Sequence, residues 1–131
     1  MAKKILIVDD DPDVRMFNVS VVEENGYTAL VATNGEEGMQ LVKEEQPDLL
    51  LLDVLMPRES GIRLYRNLRT DKKYQHIPVI ILSGIAERSF LRSQKALTEF
   101  GGEKVPPPNT YLEKPVEPEE LADAIKAILG E

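Results

Sequence analysis

Five polar side chains that could handle a metal ion and a phosphoryl group each come at the end of a short apolar run. Asp9 and Asp10 follow the run ILIV, and Asp53 follows four consecutive leucines. Ser83 comes after VIIL, and Lys114 comes just after a short run that includes a tyrosine and a leucine. If the runs are parallel strands of one sheet, these groups meet at its carboxyl edge, where open α/β sheets bind ligands. Three carboxylates, a hydroxyl and an ammonium would there form a site for a divalent cation and a phosphoryl group.

The bulk composition indicates one globular domain and disfavours several classes of protein. With 131 residues, 42% hydrophobic and 30% charged, the chain can build a single core, so we expect one domain over residues 1–131. The net charge of -7 disfavours direct nucleic-acid binding, because an acidic surface repels the phosphate backbone. The absence of cysteine excludes disulfides and thiolate metal sites.

The sequence also carries no sign of a membrane segment. No apolar stretch approaches the roughly 20 residues that a membrane span requires, so we expect no membrane insertion. The first apolar run is too short, and the residues after it too acidic, for a signal peptide. A cytoplasmic location is therefore the default expectation.

Strand-like and helix-like segments alternate along the chain. Apolar runs bounded by turn residues predict five strands, at about Lys4–Val8, Thr28–Ala32, 49–52, 79–82 and Thr110–Glu113. Helices are predicted after the caps Asp11 and Asn34, over about 61–70 and 86–100, and from about Pro118 to Gly130. This alternation predicts βαβ units, and therefore an α/β fold with a parallel sheet.

Two further features concern side chains and a loop outside these elements. Tyr27 and Tyr65 are expected to pack in the core with their hydroxyls in solvent. His76, the only histidine, lies in a polar segment and is expected at the surface. Residues 101–109 contain two glycines and three consecutive prolines, which predicts an extended irregular loop before the last strand.

Four motifs, in this order and each after its own strand, carry a resemblance to a known family. They are ILIVDD at 5–10, DVLMP at 53–57 with the Ser-Gly pair at 60–61, ILSG at 81–84 and YLEKP at 111–115. Over essentially its whole length the chain resembles the CheY-like receiver domains of response regulators in two-component signalling. The resemblance implies a doubly wound, flavodoxin-like (βα)5 fold with strand order 2-1-3-4-5 and helices on both faces of the sheet.

The resemblance implies a role for each residue of the site. Asp53 would be the phosphoacceptor, since an aspartate carboxylate can form an acyl phosphate. Asp9, Asp10, Asp53 and the backbone carbonyl of Leu55 would hold Mg²⁺, a hard cation that prefers oxygen ligands. Lys114 would pair with a phosphoryl oxygen.

The same resemblance implies a switch. Ser83 would donate its hydroxyl to the phosphoryl group, and Tyr111 would turn inward when that hydroxyl moves. The change would alter the surface formed by the fourth helix, the fifth strand and the fifth helix. The bond from Lys114 to Pro115 is expected to be cis.

In such a protein the phosphoryl group comes from a histidine kinase or a phosphotransfer protein, and the altered surface regulates a protein target or an output domain. The chain would catalyse only its own phosphorylation and its own slow dephosphorylation, so it would not be an enzyme in the ordinary sense. Leu55 and Ile85 flank the site and cannot orient a hydrolytic water, which predicts slow loss of the phosphoryl group. Family members often dimerise, so a phosphorylation-dependent homodimer is a further expectation.

The sequence departs from the family pattern in one place. Ser83 and Lys114 are roughly nine residues further apart than the family usually allows, and the excess lies around residues 98–109. The proline-rich loop could block the dimer or contact a partner, or it could be a solvated insertion without a role.

Two other functions compete with the signalling switch. One is an Mg²⁺-dependent aspartyl phosphatase of the haloacid dehalogenase type, but its D-x-D-x-[T/V] signature fails from both Asp9 and Asp11. The other is an interaction module that keeps the fold without being phosphorylated. The complete set of acids, hydroxyl and ammonium argues against that module.

Overall fold

The computed structural model describes residues 2–53, 60–99 and 106–130. In chain order the strands are β1 (Lys4–Val8), β2 (Thr28–Ala32), β3 (Leu49–Leu52), β4 (Val79–Ser83) and β5 (Thr110–Glu113). The helices are α1 (Pro12–Glu24), α2 (Gly35–Glu45), α3 (Ser60–Thr70), α4 (Glu87–Glu99) and α5 (Pro118–Leu129). Strands and helices alternate as the sequence predicts. No helix in the described part of the chain is long and apolar enough to cross a membrane.

The five strands form one parallel sheet in the order β2-β1-β3-β4-β5. This confirms the predicted fold class and strand order. The order reverses between β1 and β3, which is where doubly wound sheets form their ligand-binding crevice. Val8 pairs with Leu52, so the two strands that precede Asp9 and Asp53 end side by side.

The first helix begins and ends where its sequence dictates. The Asp11 side chain accepts hydrogen bonds from the backbone N–H groups of Asp13 and Val14, and a proline occupies the first helical position. The helix stops at Asn25, after which Gly26 takes a left-handed conformation with φ 88°. These local signals set the start and the end of α1, the helix that follows Asp9 and Asp10.

Helices cover both faces of the sheet, and each face has its own core. Alternate residues of β1 and β3 point to opposite faces, so neither strand presents a polar side to solvent. One core receives side chains from α2, α3 and α4, among them Val42, Leu64 and Phe90. The other receives side chains from α1 and α5, among them Val22 and Leu121.

Gly38 allows α2 to approach the sheet closely. A Cβ atom added there would lie 3.0 Å from a Leu64 methyl and 3.1 Å from a Val8 methyl. Contacts of 3.0 and 3.1 Å are tighter than most that real Cβ atoms make, so a side chain at this position would push the two methyl groups aside by a few tenths of an ångström. Val8 is the last residue of β1 and therefore stands directly before Asp9.

A buried polar cluster, which we call the Arg69 knot, joins α3 to the chain segments before β4 and β5. Arg69 is 9% exposed. Its guanidinium donates to the carbonyls of Gln75 and Ile77 and to the side-chain oxygen of Asn109. Asn109 also accepts a hydrogen bond from the Val79 backbone at 2.9 Å. The knot therefore fixes where both strands begin.

The structure corrects the expectation for Tyr65. Its side chain is fully buried, and its hydroxyl donates to the carbonyl of Pro106 rather than to solvent. The Arg69 guanidinium lies 5.3 Å from the centre of the Tyr65 ring. The end of the proline-rich segment is thus bound to α3. The Tyr27 hydroxyl is likewise buried, whereas His76 is exposed as expected.

The fourth helix has the predicted position. Phe90 is fully buried, and its ring lies 5.6 Å from the ring of Tyr65 in an edge-on arrangement. Phe100 and residues 101–105, which the sequence assigns to the helix end and to the loop, lie outside the described residues.

Candidate functional site

The carboxylates predicted to bind metal lie together at the carboxyl ends of β1 and β3. Asp9, Asp10 and Asp53 each offer an oxygen, and the three oxygens lie within 4.8 Å of one another. Asp9 and Asp53 are 1% and 6% exposed, respectively, while Asp10 is exposed. Two unit charges at about 4 Å repel by roughly 4 kcal/mol at an effective dielectric near 20. The cluster therefore requires positive charge.

Asp9 is the most deeply buried of the three acids. One of its carboxylate oxygens accepts a hydrogen bond from the Asp11 backbone N–H at 2.9 Å. The other oxygen, Oδ2, is buried and makes no hydrogen bond within the described chain. Burial raises the pKa of Asp9, the Asp11 hydrogen bond partly offsets this, and the charge of Asp53 raises the pKa further.

Lys114 supplies positive charge from the end of β5. Its ammonium lies 3.3 Å from Asp53 Oδ2 and 3.8 Å from Asp9 Oδ2. About a quarter of the lysine side chain remains exposed, at 28%, so the ammonium can exchange one anionic partner for another. The peptide bond from Lys114 to Pro115 is cis, as expected.

Ser83 ends β4 beside this lysine. The Lys114 backbone N–H donates to the Ser83 carbonyl at 2.8 Å. The Ser83 side chain is fully buried, and its hydroxyl oxygen accepts a hydrogen bond from the Ile85 backbone N–H at 3.2 Å. The strand ladder thus joins the hydroxyl-bearing residue to the residue that carries the ammonium.

Tyr111 lies on the same segment but contacts the chain after Ser83. Its hydroxyl donates to the Ile85 carbonyl at 2.8 Å, and its ring lies 5.6 Å from the ring of Phe90. Burial raises the pKa of the Tyr111 hydroxyl, and a hydrogen bond with the Ser83 side chain partly offsets the shift. The tyrosine is therefore in contact with the proposed hydroxyl donor and with α4.

The acid cluster fits a divalent cation. The three oxygens are close enough to share one ion, and a hard ion such as Mg²⁺ takes its ligands from oxygen. The buried Oδ2 of Asp9 has no hydrogen-bond donor in the described chain, and its ion-pair partner Lys114 is 3.8 Å away, so it can serve as a metal ligand. Leu55, whose carbonyl the family resemblance adds to this set, lies outside the described residues.

Two residues that sequence reasoning did not single out support the site. Arg15, on the first turns of α1, donates to the backbone carbonyl of Asp9 at 2.9 Å and so holds the loop that carries the acids. Glu113, one residue before the site lysine, accepts a hydrogen bond from the Glu87 backbone N–H at 3.1 Å. Arg15 lies outside the four motifs, and Glu113 lies within YLEKP without a role of its own being assigned to it.

Together these groups can accept a phosphoryl group. Asp53 offers a carboxylate oxygen as nucleophile, Lys114 offers a charge for a phosphoryl oxygen, and the acids offer oxygens to a cation. Transfer to a carboxylate, which has no proton to lose, does not require a general base. Catalysis would therefore rest on the positions of the groups and on their charges.

Comparison with known proteins agrees with this geometry. Residues 5–126 match the response regulator receiver domain. The protein PilH of Pseudomonas aeruginosa is 35% identical, with 97% of this chain and 98% of PilH covered. The polar-differentiation response regulator DivK of Brucella anthropi is 30% identical, with 100% and 99% covered. A candidate response regulator from Chloroflexus aurantiacus superposes with a TM-score of 0.81 at 33% identity, covering 100% of both chains.

Proposed function

This chain belongs to the response regulator receiver domains, and from that premise we propose that it is a phosphorylation-activated signalling switch whose phosphoacceptor is Asp53. Receiver domains belong to signalling regulators rather than to enzymes that turn over a substrate. The observation that carries the proposal is the contact of the Asp53 carboxylate with the Lys114 ammonium, 3.3 Å away, within the acid cluster.

The phosphoryl group would come from the phosphohistidine of a histidine kinase or a phosphotransfer protein. An Asp53 oxygen attacks phosphorus and forms a new O–P bond while the N–P bond of the donor breaks. The electron pair of the broken bond stays on the imidazole nitrogen. Lys114 then exchanges its contact with the carboxylate for a phosphoryl oxygen, which stabilises the charge that arrives.

Asp9, Asp10 and Asp53, with the backbone carbonyl of Leu55, are proposed to hold Mg²⁺. The cation, when bound, offsets negative charge on the phosphoryl oxygens during transfer. In the absence of a phosphoryl group three acid oxygens already lie within 4.8 Å of one another, and burial raises the pKa of Asp9, with a further rise from the charge of Asp53. We therefore expect transfer to depend on Mg²⁺.

The switch would run from the phosphoryl group to α4. Ser83 would donate its hydroxyl to a phosphoryl oxygen and give up its present bond to the Ile85 backbone. Because Tyr111 contacts both the Ser83 side chain and the Ile85 carbonyl, it would respond to that movement. The surface of α4, β5 and α5 would then favour a second conformation and a protein target or a homodimer.

A cavity beside the site is suited to a protein donor. It has a volume of about 380 Å³ and lies between α1 and the segment that leads into α5. Its apolar lining includes Val14, Phe17, Leu82, Pro115 and Val116, and Lys114 stands at one side. A helix or loop that delivers a phosphohistidine to Asp53 would pass this cavity.

The proposal is tested by intact mass after incubation with a small acyl phosphate and Mg²⁺. We expect the gain of one phosphoryl group per chain, no gain with EDTA and none in Asp53→Asn. The exposed acid Asp123 provides a matched control, since Asp123→Asn should be labelled like the parent. Labelling that persists in Asp53→Asn would contradict the assignment.

The same sample separates the competing functions. Continuous release of phosphate from ester substrates would favour the phosphatase, and no labelling with any donor would favour an interaction module. After removal of the donor we expect the label to persist for many minutes, because Ile85 offers no polar group to orient water. Loss within seconds would contradict that expectation.

A further inference from the structure

The segment that joins β4 to α4 is held at every second residue. The Ile85 backbone N–H donates to the Ser83 hydroxyl oxygen at 3.2 Å, and the Ile85 carbonyl accepts from the Tyr111 hydroxyl at 2.8 Å. The Glu87 backbone N–H donates to a carboxylate oxygen of Glu113 at 3.1 Å. Two of these three bonds come from side chains of β5, so β5 sets the path of the segment.

The residue before the fourth helix cannot cap it with its side chain. The Ala86 carbonyl accepts the first helical bonds, from Ser89 at 3.0 Å and from Phe90 at 3.1 Å, which places Ala86 at the N-cap position. Alanine has no side-chain acceptor for the free N–H groups of the first turn. The Glu113 carboxylate provides that acceptor from the neighbouring strand.

The position of Glu113 couples this cap to the site. Glu113 is the register partner of Ser83 across the two strands, and it directly precedes Lys114. The Lys114 backbone N–H binds the Ser83 carbonyl at 2.8 Å. One short stretch of β5 therefore holds the last residue of β4, the first residue of α4 and the ammonium of the site.

We propose that Glu113 is a positioning residue for phosphorylation: by capping α4 from β5, its carboxylate fixes the segment 84–86 and thereby the position of the Ser83 hydroxyl. The inference rests on the proposed function. Without this acceptor the Glu87 N–H turns to water and the first turn of α4 opens more often. The Ser83 hydroxyl then spends less time where a phosphoryl oxygen would need it.

Two substitutions separate the hydrogen bond from the charge. Glu113→Ala removes the acceptor, whereas Glu113→Gln keeps an acceptor oxygen and removes the charge. Glu24→Ala, at an exposed acid near the end of α1, is the control for the change in net charge. Amide hydrogen exchange at Glu87 reports on the cap. The initial rate of Asp53 labelling and the affinity for Mg²⁺, measured on the same variants, report on the site.

In Glu113→Ala we expect exchange at Glu87 to rise about fivefold and labelling to slow by a similar factor, as loss of one helix cap implies. Glu113→Gln should stay within about twofold of the parent in both measurements. Affinity for Mg²⁺ should not change in any variant, because Glu113 is outside the acid cluster.

Several results would overturn the inference. Labelling that is unchanged in Glu113→Ala, whatever the exchange does, would show that the cap does not position the hydroxyl. Labelling that falls equally in Glu113→Gln would assign the effect to charge, and a fall that follows Mg²⁺ affinity would assign it to the metal site. If the parent takes up no label, the proposed function fails and this role falls with it, while exchange at Glu87 still shows whether the cap exists.

Discussion

Lys114 and Arg69 are both cations held inside the same domain, and their surroundings are opposite. Lys114 stands among carboxylates, with Asp53 at 3.3 Å and Asp9 at 3.8 Å. Arg69 is bound by two backbone carbonyls and the amide oxygen of Asn109. Among the described residues no carboxylate pairs with it. One charge is balanced by other charges and the other by neutral dipoles.

From this difference we infer separate roles for the two regions, the first in the proposed phosphoryl transfer and the second in stability. The partners of Lys114 include Asp9, whose pKa burial raises, so a new ligand can relieve the strain there. The oxygens around Arg69 receive their hydrogen bonds from its guanidinium. Movement of the arginine would therefore remove hydrogen-bond donors from acceptors inside the protein. We therefore expect substitutions at Arg69 to change stability and substitutions at Lys114 to change phosphorylation.

The largest expected effect is that of Arg69→Met on stability. The substitution keeps an unbranched apolar side chain but removes the arginine donor from the buried carbonyl of Ile77 and the partly buried carbonyl of Gln75, and it leaves the Asn109 oxygen with the Val79 N–H alone. We expect the free energy of unfolding, measured with urea, to fall by about 3 kcal/mol. Arg63→Met, at an exposed position of the same helix, should change it by less than about 0.5 kcal/mol.

The comparison would fail if Arg69→Met also abolished labelling of the molecules that remain folded. The rate of Asp53 labelling, corrected for the folded fraction at each urea concentration, should stay within about twofold of the parent. A corrected labelling rate that falls as strongly as stability does would show that the Arg69 knot also contributes to the phosphorylation site.

Lys114→Met is expected to have the next largest effect, on the rate of labelling. Without the ammonium, a phosphoryl oxygen loses its charged partner in a partly buried site, and the rate should fall by about 100-fold. Intact mass against time measures the rate. Lys72→Met, at an exposed loop position, should label at the parent rate. A fall of less than about threefold would remove Lys114 from the proposed mechanism.

The smallest effect concerns Asp9 and depends on pH. Because burial raises the pKa of Asp9 above the ordinary 3.8, the ionised side chain costs stability at neutral pH. That cost is absent below the unfolded pKa and appears as the pH rises through the folded pKa. Asp9→Asn, measured with EDTA, should therefore be more stable than the parent at pH 7, by about 1 kcal/mol. The gain should vanish below about pH 4.

The control for this profile is Asp123→Asn, at an exposed acid of α5. Its unfolding curve should follow the parent at every pH. A neutral-pH gain in Asp9→Asn that persists unchanged in acid would show that packing, and not charge, is responsible.

Sequence reasoning predicted the fold and the meeting of Asp9, Asp10 and Asp53 with Lys114, for a specific physical reason. In a parallel sheet the strands are apolar on both faces, so a polar residue after an apolar run marks a strand end. The runs before Asp9 and Asp53 are uniform enough to show where each strand stops, and strand ends meet at one edge. The capping residues Asp11 and Asn34 mark helix starts in the same local way.

The Arg69 knot could not be derived in that way. Arg69 binds Asn109 across 40 positions of sequence, and Tyr65 binds Pro106 across 41. No sequence periodicity connects such distant residues. A tyrosine whose ring packs in the core can place its hydroxyl either in solvent or on a buried acceptor, and the sequence does not distinguish the two. Glu113 was missed because a helix cap is sought on the residue before the helix, which here is Ala86.

Gly38 carries no functional group, yet it lies against Val8, the residue that directly precedes the acids Asp9 and Asp10. A Cβ atom at this position would lie 3.0 Å from a Leu64 methyl and 3.1 Å from a Val8 methyl, so both would have to move by a few tenths of an ångström. Val8 is joined to Asp9 by a single peptide unit, so a larger side chain would disturb the residue next to the acid cluster. How closely α2 packs against the end of β1 thus influences the position of the acids, although α2 itself contributes no residue to the site.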